Sequence, residues 1–417
     1  MARDTEGRNG QHMVRAGNLG LILRAVRRHA PCSRAEVAAA TGLTKSTVSS
    51  IVAELVDRGL LREAGAAAEG RVGRPGVMLE MDDSSIAAIG LEVNVDYLTI
   101  VALDLVEQEL FSRHADFDAR SAGPEGSVRQ MAALLARSLT DPLLAERTVL
   151  GIGIAVPGLI DPVTGIVRYA PNLRWRDFRL GELLSAALAE HGLDDVPVFV
   201  DNDANLGVVA EHRCGHLAGT PGLIYITGEV GIGAGVLVDG VPLRGSSGYG
   251  GEIGHMPVTR GGPRCGCGRQ GCLEALAGIA AILRRATPDL LPDGSLPGDA
   301  VARAVRVAAE RAEAGDAHVL RVLRESGEWL GHGLAILVNL LDPRAVVLGG
   351  YFVQLAPWLL PACEAVLRDH IVAPRQDADL VQTSVLGLSA AARGAAATLV
   401  NDLDQGRIPV PGRRPSS

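Results

Sequence analysis

A histidine and three cysteines lie close together in the stretch HMPVTRGGPRCGCGRQGC. One imidazole and three thiolates form a complete tetrahedral ligand set for Zn²⁺, with expected bond lengths of about 2.0–2.3 Å. Because four protein ligands leave no coordination position open, this pattern predicts a structural zinc ion that holds a loop together. The alternative is a chance cluster of reduced cysteines. The candidate zinc ligands are His255, Cys265, Cys267 and Cys272.

Polar side chains that suit a polyol occur beside this cluster and at two further turns. They lie in the stretches APNLRW, VFVDNDAN, GYGGEIGH and GCLEAL. Carboxylates and amides pair with hydroxyl groups, and an imidazole that binds zinc through one nitrogen can face a ligand with the other. Any one of these residues alone fits a turn or a helix cap, but their connection to the zinc loop indicates a pocket. The candidate ligand-binding residues are Asn172, Asn202, Asp203, Glu252, His255 and Glu274.

The N-terminal residues have the pattern of a helix-turn-helix. Apolar residues at helical spacing predict a first helix over residues 18–30. Ser33 caps a second helix, with Glu36 three residues later as a capping box requires. Gly42 provides a turn, and Thr44 caps a third helix. A helix with such a short polar beginning fits the major groove of DNA.

Two short predicted strands, Leu60–Glu63 and Val77–Met81, flank the loop AGAAAEGRVGRPG and complete a winged helix. Basic residues on such a loop can enter a narrow minor groove. The alternative is a small helical bundle with a solvated polar face. Local charge favours the DNA-binding interpretation: residues 1–80 contain 12 Lys or Arg and 8 Asp or Glu, a charge of +4, so the remainder carries −12 of the total of −8. The candidate DNA-contacting residues are Lys45, Ser46, Thr47, Ser50, Arg71 and Arg74.

The length of 417 residues exceeds one ordinary core and predicts two or three domains. A hydrophobic fraction of 47% excludes disorder for most of the chain. The polar start MARDTEGRNG lacks the apolar core of a signal peptide, and the apolar runs are far shorter than the roughly 20 residues that span a bilayer. These features predict a soluble, cytoplasmic protein with no membrane partner.

From about residue 86, buried-type strands alternate with helical stretches, which indicates two α/β lobes with a ligand cleft between them. A C-terminal helix near residues 386–403 is expected to complete the first lobe. The predicted units are the winged helix with its linker (1–82), the first lobe (83–200), the second lobe with the zinc loop (201–385) and a disordered tail (404–417).

Four motifs together resemble the ROK family of bacterial repressors, open reading frames and sugar kinases: GIGIAVPGLID, VFVDNDAN, GYGGEIGH and CGCGRQGCLEALAG. With the winged helix in front, the chain is similar to the repressor branch, such as the xylose and N-acetylglucosamine repressors. The resemblance implies an actin-like ATPase fold with two lobes, a sugar held by the six candidate residues, and zinc on His255 and the three cysteines. In kinase members, the aspartate that matches Asp203 activates the sugar hydroxyl.

Both phosphate-binding loops depart from the pattern of the family's kinases. Where the kinases have Asp-x-Gly-x-Thr, this chain has GLEVNVDY, with Glu92, Asn94 and Asp96 at the matching positions. Where they have Thr-x-Gly-Thr-Gly-x-Gly, it reads TGEVGIG, so Glu229 and Val230 replace Gly and Thr. Carboxylates repel a phosphate, and the lost glycines remove close backbone contacts. We therefore predict no useful kinase activity.

These features predict a sugar-responsive transcriptional regulator, a repressor of carbohydrate-metabolism genes. It is expected to bind operator DNA as a homodimer or tetramer and to hold a monosaccharide or derivative without phosphorylating it. One alternative is an active ROK sugar kinase with an appended DNA-binding domain. A second is a regulator whose body binds no sugar and is controlled by a partner protein.

Overall fold

The structure of the protein is a computed structural model, and it describes residues 2–66, 77–291, 301–373 and 380–412. Three helices and a small sheet come first, two five-stranded sheets follow, and a last helix returns to the first of them. The predicted order of a winged helix and two α/β lobes is therefore confirmed.

The N-terminal unit is a winged helix. Its elements are α1 (Ala2–His29), β1 (Cys32–Ser33), α2 (Arg34–Thr41), α3 (Lys45–Asp57), β2 (Leu61–Ala66) and β3 (Val77–Met81). The strands form one antiparallel sheet in the order β1–β3–β2. Helix α1 is longer than predicted, since it begins at Ala2 rather than at residue 18. Arg71 and Arg74 of the predicted wing lie between β2 and β3, outside the described residues.

The predicted caps of the helix-turn-helix are present. Ser33 Oγ accepts a hydrogen bond from the Glu36 backbone at 3.3 Å, and the Glu36 carboxylate accepts one from the Ser33 backbone at 2.8 Å. Gly42 ends α2 with a left-handed φ of 70°. Thr44 Oγ1 accepts from the Thr47 backbone at 3.2 Å and starts α3. The capping residues thus set the angle between the two helices locally.

The first lobe is built on a five-stranded sheet in the order β11–β7–β4–β5–β6. Its strands are β4 (Ile86–Val93), β5 (Tyr97–Asp104), β6 (Glu109–Asp116), β7 (Thr148–Val156) and β11 (Val198–Asn202). Strands β4, β7 and β11 are parallel, and β5 and β6 continue the sheet as an antiparallel meander. Every residue of β4 and β5 is buried, which explains their unbroken apolar sequence. The lobe also contains α4 (Ala119–Leu139), α5 (Leu180–Ala189) and a small sheet of β8 (Leu159–Asp161), β9 (Ile166–Ala170) and β10 (Trp175–Phe178).

The second lobe has a mixed sheet in the order β14–β13–β12–β15–β16. Its strands are β12 (Leu223–Gly228), β13 (Ile232–Val238), β14 (Val241–Pro242), β15 (Ala345–Gly350) and β16 (Val381–Thr383). Its helices are α6 (Asp203–Cys214), α7 (Leu273–Ala277), α8 (Ile279–Ala286), α9 (Val301–Glu313), α10 (Ala317–Leu341) and α11 (Phe352–His370). The parallel strands β12 and β15 end toward the first lobe, so polar residues after these strands meet those after β11.

The last helix, α12 (Ala390–Asp404), lies across β4 and β7 and beside α6. This close approach requires glycine in both strands. A Cβ at Gly90 would lie 1.8 Å from the Ala392 carbonyl oxygen, and one at Gly153 would lie 2.7 Å from that of Ala395. The chain therefore returns to the first lobe at its C-terminus, in the region where that helix was predicted.

The residues after α12 pack against the winged helix. Arg58 Nη1 donates to the Val410 carbonyl oxygen at 2.9 Å. Ile408 and Val410 also contact the apolar core that α1 and α3 share with α12. This part of the tail differs from the predicted disorder because its short apolar run covers the helices of the N-terminal unit. Residues 413–417 lie outside the described residues.

Candidate functional site

A cavity of about 430 Å³ lies between the lobes, at the carboxyl ends of their parallel strands. Residues that are far apart in the sequence meet on its wall. All six predicted ligand-binding residues line it: Asn172, Asn202, Asp203, Glu252, His255 and Glu274. A cavity of this size is within the range that small-molecule sites occupy in proteins.

Asn202 and Asp203 lie where β11 meets α6. Asn202 caps α6, because its Oδ1 accepts from the Asn205 backbone at 3.0 Å. Its Nδ2 donates to the Gly158 carbonyl oxygen at 3.0 Å and to Asp203 Oδ1 at 2.9 Å. Burial raises the pKa of Asp203 to about 6, and the Glu252 carboxylate adds to this shift. The pair thus presents fixed amide and carboxyl groups to the cavity.

Asn172 lies in the turn between β9 and β10. Arg120, near the start of α4, donates from Nε to the Asn172 carbonyl oxygen at 2.7 Å. This bond fixes the turn against α4 through the backbone of Asn172. Asn172 is among the residues that line the cavity.

His255 joins the cavity to the cysteine cluster. Its Nδ1 lies 3.6 Å from Cys265 Sγ, and its Nε2 lies 3.9 Å from Glu252 Oε2. One ring nitrogen therefore faces the thiols while the other faces the cavity carboxylate. Burial raises the pKa of Glu252, with His255 opposing the shift and Glu274 adding to it. This is the orientation expected of a histidine that binds a metal with one nitrogen and a ligand with the other.

Glu274, in the first turn of α7, connects the cysteine loop to the turn after β12. Its Oε2 accepts from the Ile232 backbone at 3.2 Å, and its Oε1 lies 3.5 Å from Cys265 Sγ. A Cβ at position 231 would lie 2.0 Å from Glu274 Oε2, so a larger residue there would displace the Glu274 carboxylate. Glu274 therefore lines the cavity while a backbone hydrogen bond holds one of its oxygens.

The four predicted metal ligands form one cluster. Single ligand atoms of His255, Cys265, Cys267 and Cys272 all lie within 4.8 Å of one another. The sulfurs of Cys267 and Cys272 are 3.7 Å apart. Thiolates on a tetrahedral ion with bonds of about 2.3 Å would be separated by about 3.8 Å. Gly271 permits the tight loop, since a Cβ there would lie 2.0 Å from the Thr259 carbonyl oxygen. The donor set and its spacing fit a tetrahedral metal ion.

Deeper in the cleft, the region that matches the kinases' first phosphate loop is filled by buried polar side chains. Tyr97 Oη donates to Glu92 Oε1 at 2.8 Å, and Asn94 Nδ2 donates to the same oxygen at 3.3 Å. Tyr351, which follows β15 in the second lobe, donates from Oη to Asp96 Oδ2 at 2.7 Å. The two lobes are therefore hydrogen-bonded to each other at the place where the kinase loop pattern is lost.

Glu229 closes this region from the second lobe. Its Oε1 accepts from Thr227 Oγ1 at 3.3 Å, and its buried Oε2 has no hydrogen-bond partner among the described residues. The space left between Glu92, Asp203 and Glu229 is only about 10 Å³, near the minimum for one water molecule. Burial raises the pKa of Glu92 to about 8, with Asp203 as the next cause, and burial together with Glu92 raises the pKa of Glu229 well above its usual range. A phosphate would find neither room nor positive charge in this space.

The candidate DNA surface is the first part of α3. Lys45, Ser46 and Ser50 are exposed, and Thr47 is half-buried. The Thr47 hydroxyl lies 2.8 Å from Thr44 Oγ1. The opposite side of the helix is buried in the winged-helix core. A polar helix surface backed by an apolar side can enter a major groove without losing its packing.

The cavity also contains residues that were not predicted from the sequence. Gly158 has a φ of 111° and supplies the carbonyl that holds Asn202. Tyr169 and Met256 add apolar surface, and Arg269 of the cysteine loop adds a guanidinium. Gly158 lies inside the motif GIGIAVPGLID, so the motif contained the signal for this residue. Tyr169 lies outside the four family motifs, so these motifs do not predict its place in the cavity.

The fold and the cavity define a class: a winged helix joined to a two-lobed domain of the sugar-kinase type. Residues 88–402 match the ROK family, and residues 20–71 match the MarR family. The chain belongs to the ROK family. No helix in the described ranges combines the length and the apolar character that a membrane span requires.

Several known proteins are similar to most of this chain. The xylose repressor of Bacillus spizizenii is 30% identical over 390 residues, covering 94% of this chain and 96% of the relative. The DNA-binding transcriptional dual regulator NagC of Escherichia coli is 28% identical, covering 85% of each chain. A ROK family transcriptional regulator homologous to the Escherichia coli MLC protein superposes with a TM-score of 0.78 at 25% identity, covering 94% of this chain and 97% of that one. A ROK family glucokinase from Streptomyces griseus, solved with glucose and AMPPNP, has a TM-score of 0.62 at 28% identity and covers 75% of this chain and 98% of its own.

Proposed function

We propose that this protein is a sugar-responsive transcriptional repressor that binds operator DNA through α3 and the wing, and binds a monosaccharide or derivative without phosphorylating it. One observation carries the proposal. The cleft keeps an open cavity lined by the six candidate residues, while the adjoining region is filled by the chain's own carboxyl groups. The relatives named as a xylose repressor and as NagC support the same function.

The sugar would be held by hydrogen bonds at both walls of the cavity. Asn202 and Asp203 offer an amide and a carboxyl group on one side, and Glu252 and His255 offer acceptors and a donor on the other. Asp203 accepts a sugar hydroxyl in this arrangement. Without a bound phosphoryl donor beside it, the same carboxylate has no transfer reaction to assist.

The cysteine cluster would hold one Zn²⁺, which is structural because the three thiols and His255 complete its coordination. The ion would fix His255 through Nδ1 and leave Nε2 for the sugar. We expect protein purified without chelator to contain about one zinc per chain, and Cys267→Ala to contain well under half as much. A wild-type preparation free of zinc by elemental analysis would remove this part of the proposal.

DNA binding would involve Lys45, Ser46, Thr47 and Ser50 of α3, with Arg71 and Arg74 on the minor groove or backbone. Two copies would pair as a homodimer, or four as a tetramer, to place two recognition helices in successive major grooves about 34–36 Å apart. A sugar that prefers a different separation of the two heads weakens operator binding by the same factor by which DNA weakens sugar binding.

The test has two stages. Selection from a pool of random duplexes should enrich a two-fold symmetric site, and Lys45→Ala should weaken its binding while Lys45→Arg retains it. Calorimetry against a panel of monosaccharides, beginning with D-xylose and N-acetyl-D-glucosamine, should then identify a ligand whose binding Asp203→Ala weakens by about 10-fold or more. Failure to enrich any sequence at moderate salt would disprove the proposed function as a transcriptional regulator.

A sugar kinase with an added DNA-binding head is a second candidate, favoured by the buried Asp203 and by the likeness to the glucokinase. Sugar-dependent release of ADP from Mg-ATP would establish it. We expect no such release, because Glu92 and Glu229 fill the space beside Asp203.

A further inference from the structure

Helix α6 runs from the cavity to the junction with the winged helix. It begins at Asp203, which lines the cavity, and its last turn contains Arg213. The same helix therefore has one end at the candidate sugar site and the other end next to the DNA-binding unit.

Tight packing leaves α6 no freedom to slide past its neighbours. A Cβ at Gly394 of α12 would lie 1.8 Å from the Leu206 carbonyl oxygen, and one at Gly235 of β13 would lie 2.0 Å from that of Ala204. These backbone contacts hold α6 between the first-lobe helix α12 and the second-lobe sheet. Since a packed interior of this kind is nearly incompressible, a displacement at one end of the helix reaches the other end.

A closed ring of polar contacts joins the end of α6 to α1. Arg27 of α1 donates from Nε to Asp404 Oδ2 at 2.7 Å and from Nη2 to Oδ1 at 3.2 Å. Arg213 Nη2 lies 3.9 Å from the same Oδ2. The turn between β5 and β6 joins the two arginines a second time: the Leu105 carbonyl oxygen accepts from Arg27 at 2.7 Å, and Glu107 accepts from Arg213 Nε at 2.8 Å.

The side chains that form this ring are largely buried. The side chain of Asp404 is 3% exposed, that of Arg213 is 17% exposed and that of Arg27 is 23% exposed. Arg24 also donates to the Asp404 backbone carbonyl at 2.6 Å, so α1 holds the end of α12 at two points. Removal of one charge from such a buried network leaves the others without compensation, unlike a surface ion pair.

We propose that α6 transmits the state of the cavity to the DNA-binding unit, and that Asp404 is the residue through which Arg213 moves Arg27 and with it α1. This inference rests on the proposed function, because it requires that DNA binds at one end and a ligand at the other. It assigns the coupling to a buried contact that touches neither ligand.

Reciprocity between two coupled sites allows a test that needs no knowledge of the sugar. The probe is the duplex selected by the wild-type protein. Hydrogen exchange of the amides at the start of α6, residues 203–207, is measured with and without this duplex. In the wild type we expect DNA to change these exchange rates by about fivefold or more, the lower end of typical coupling between sites.

Asp404→Asn should still bind the duplex but should lose the exchange response at residues 203–207. The matched control is Asp402→Asn, on the same turn of α12, whose carboxylate pairs with Arg407 five residues later. This control should keep the full response. If Asp404→Asn fails to fold by circular dichroism, Arg27→Lys replaces it, because lysine keeps the charge but not the two-point contact.

The outcomes separate the two proposals. Failure of the wild type to bind any selected duplex overturns the proposed function, and the inference with it. Binding without an exchange response at α6 in the wild type overturns the inference alone. A response that persists in Asp404→Asn, or in Arg27→Lys where that variant is needed, shows that the signal takes another route and also overturns it.

Discussion

The two halves of the inter-lobe cleft border the same residue, Asp203, but differ in what fills them. On one side is a cavity of about 430 Å³. On the other is a space of about 10 Å³ enclosed with Glu92 and Glu229. The candidate residues of the open half come mainly from β11 and α6, the 3₁₀ turn that ends at His255, and α7. Those of the filled half come from β4, from β12 and the turn after it, and from the start of α12.

This difference shows that the chain fills one half of the inter-lobe cleft with its own side chains and leaves the other half open. The open half is held by Asn202, Glu274 and the cysteine loop, none of which depends on a bound phosphate. The filled half is held by hydrogen bonds such as that between Tyr351 and Asp96. Contacts within the chain therefore hold the two lobes together in the filled half.

The largest effect should come from Asp203, because it belongs to both halves. Asp203→Ala removes a buried acceptor, and hydrogen bonds to charged groups contribute about 1.5–3 kcal/mol. We expect sugar affinity to fall by about 10- to 100-fold or more, measured by calorimetry. Asp195→Ala, an exposed aspartate before β11, is the control and should bind as the wild type does. Undiminished binding by Asp203→Ala would place the sugar elsewhere.

The filled half should make stability depend on pH. The folded-state pKa of Glu92 is raised from 4.5 to about 8, so its stability contribution is complete below the unfolded pKa and is lost as pH rises through about 8. A tenfold change in proton affinity corresponds to about 1.4 kcal/mol, and we expect the free energy of unfolding to fall by at least that amount between about pH 5 and pH 8.

The double variant Glu92→Gln with Glu229→Gln cannot ionise at these positions and should lose most of this pH dependence in urea titrations. Glu313→Gln, an exposed change on α9, should retain it. Equal slopes in the double variant and the wild type would show that the buried pair does not control the effect.

Substitutions in the filled half should partly restore ATP binding. Glu229→Gly with Val230→Thr restores the kinase pattern of the second loop and removes a carboxylate from the phosphate space. Because burial raises the pKa of Glu229 well above its usual range, we expect the gain to come from the room that this side chain leaves and not from the removal of a charge. We expect ATP binding to strengthen by at least about fivefold, measured with a fluorescent nucleotide in the presence of Mg²⁺. Val230→Thr alone keeps the carboxylate and should show no gain.

Sequence and structure agree best where the signal is local. The caps at Ser33 and Thr44 and the cysteine loop are short-range patterns, and each forms as predicted. Five of the six cavity residues lie in motifs that resemble one family, and Asn172 lies outside those motifs. The bond from Tyr351 to Asp96 could not be predicted, since it joins residues 255 positions apart whose approach depends on how the two lobes close. The packing of residues 405–412 on the winged helix likewise depends on where α12 ends.

The smallest effect should come from the contact that joins the lobes in the filled half. Tyr351→Phe removes the hydroxyl that donates to Asp96, and loss of one such bond costs about 1–3 kcal/mol. Burial already raises the pKa of Asp96 to about 6, and Tyr351 opposes that shift, so the variant should raise this pKa further. Protonation of Asp96 then replaces part of the lost stabilisation, and we expect a loss near about 1 kcal/mol at pH 7 that shrinks below about pH 6. Urea unfolding at both pH values measures it, and Tyr249→Phe, a change at a half-exposed tyrosine, is the control. Because Tyr351 does not line the cavity, sugar affinity should stay within about twofold of the wild type. A large loss of sugar affinity would mean that the two halves of the cleft are not independent.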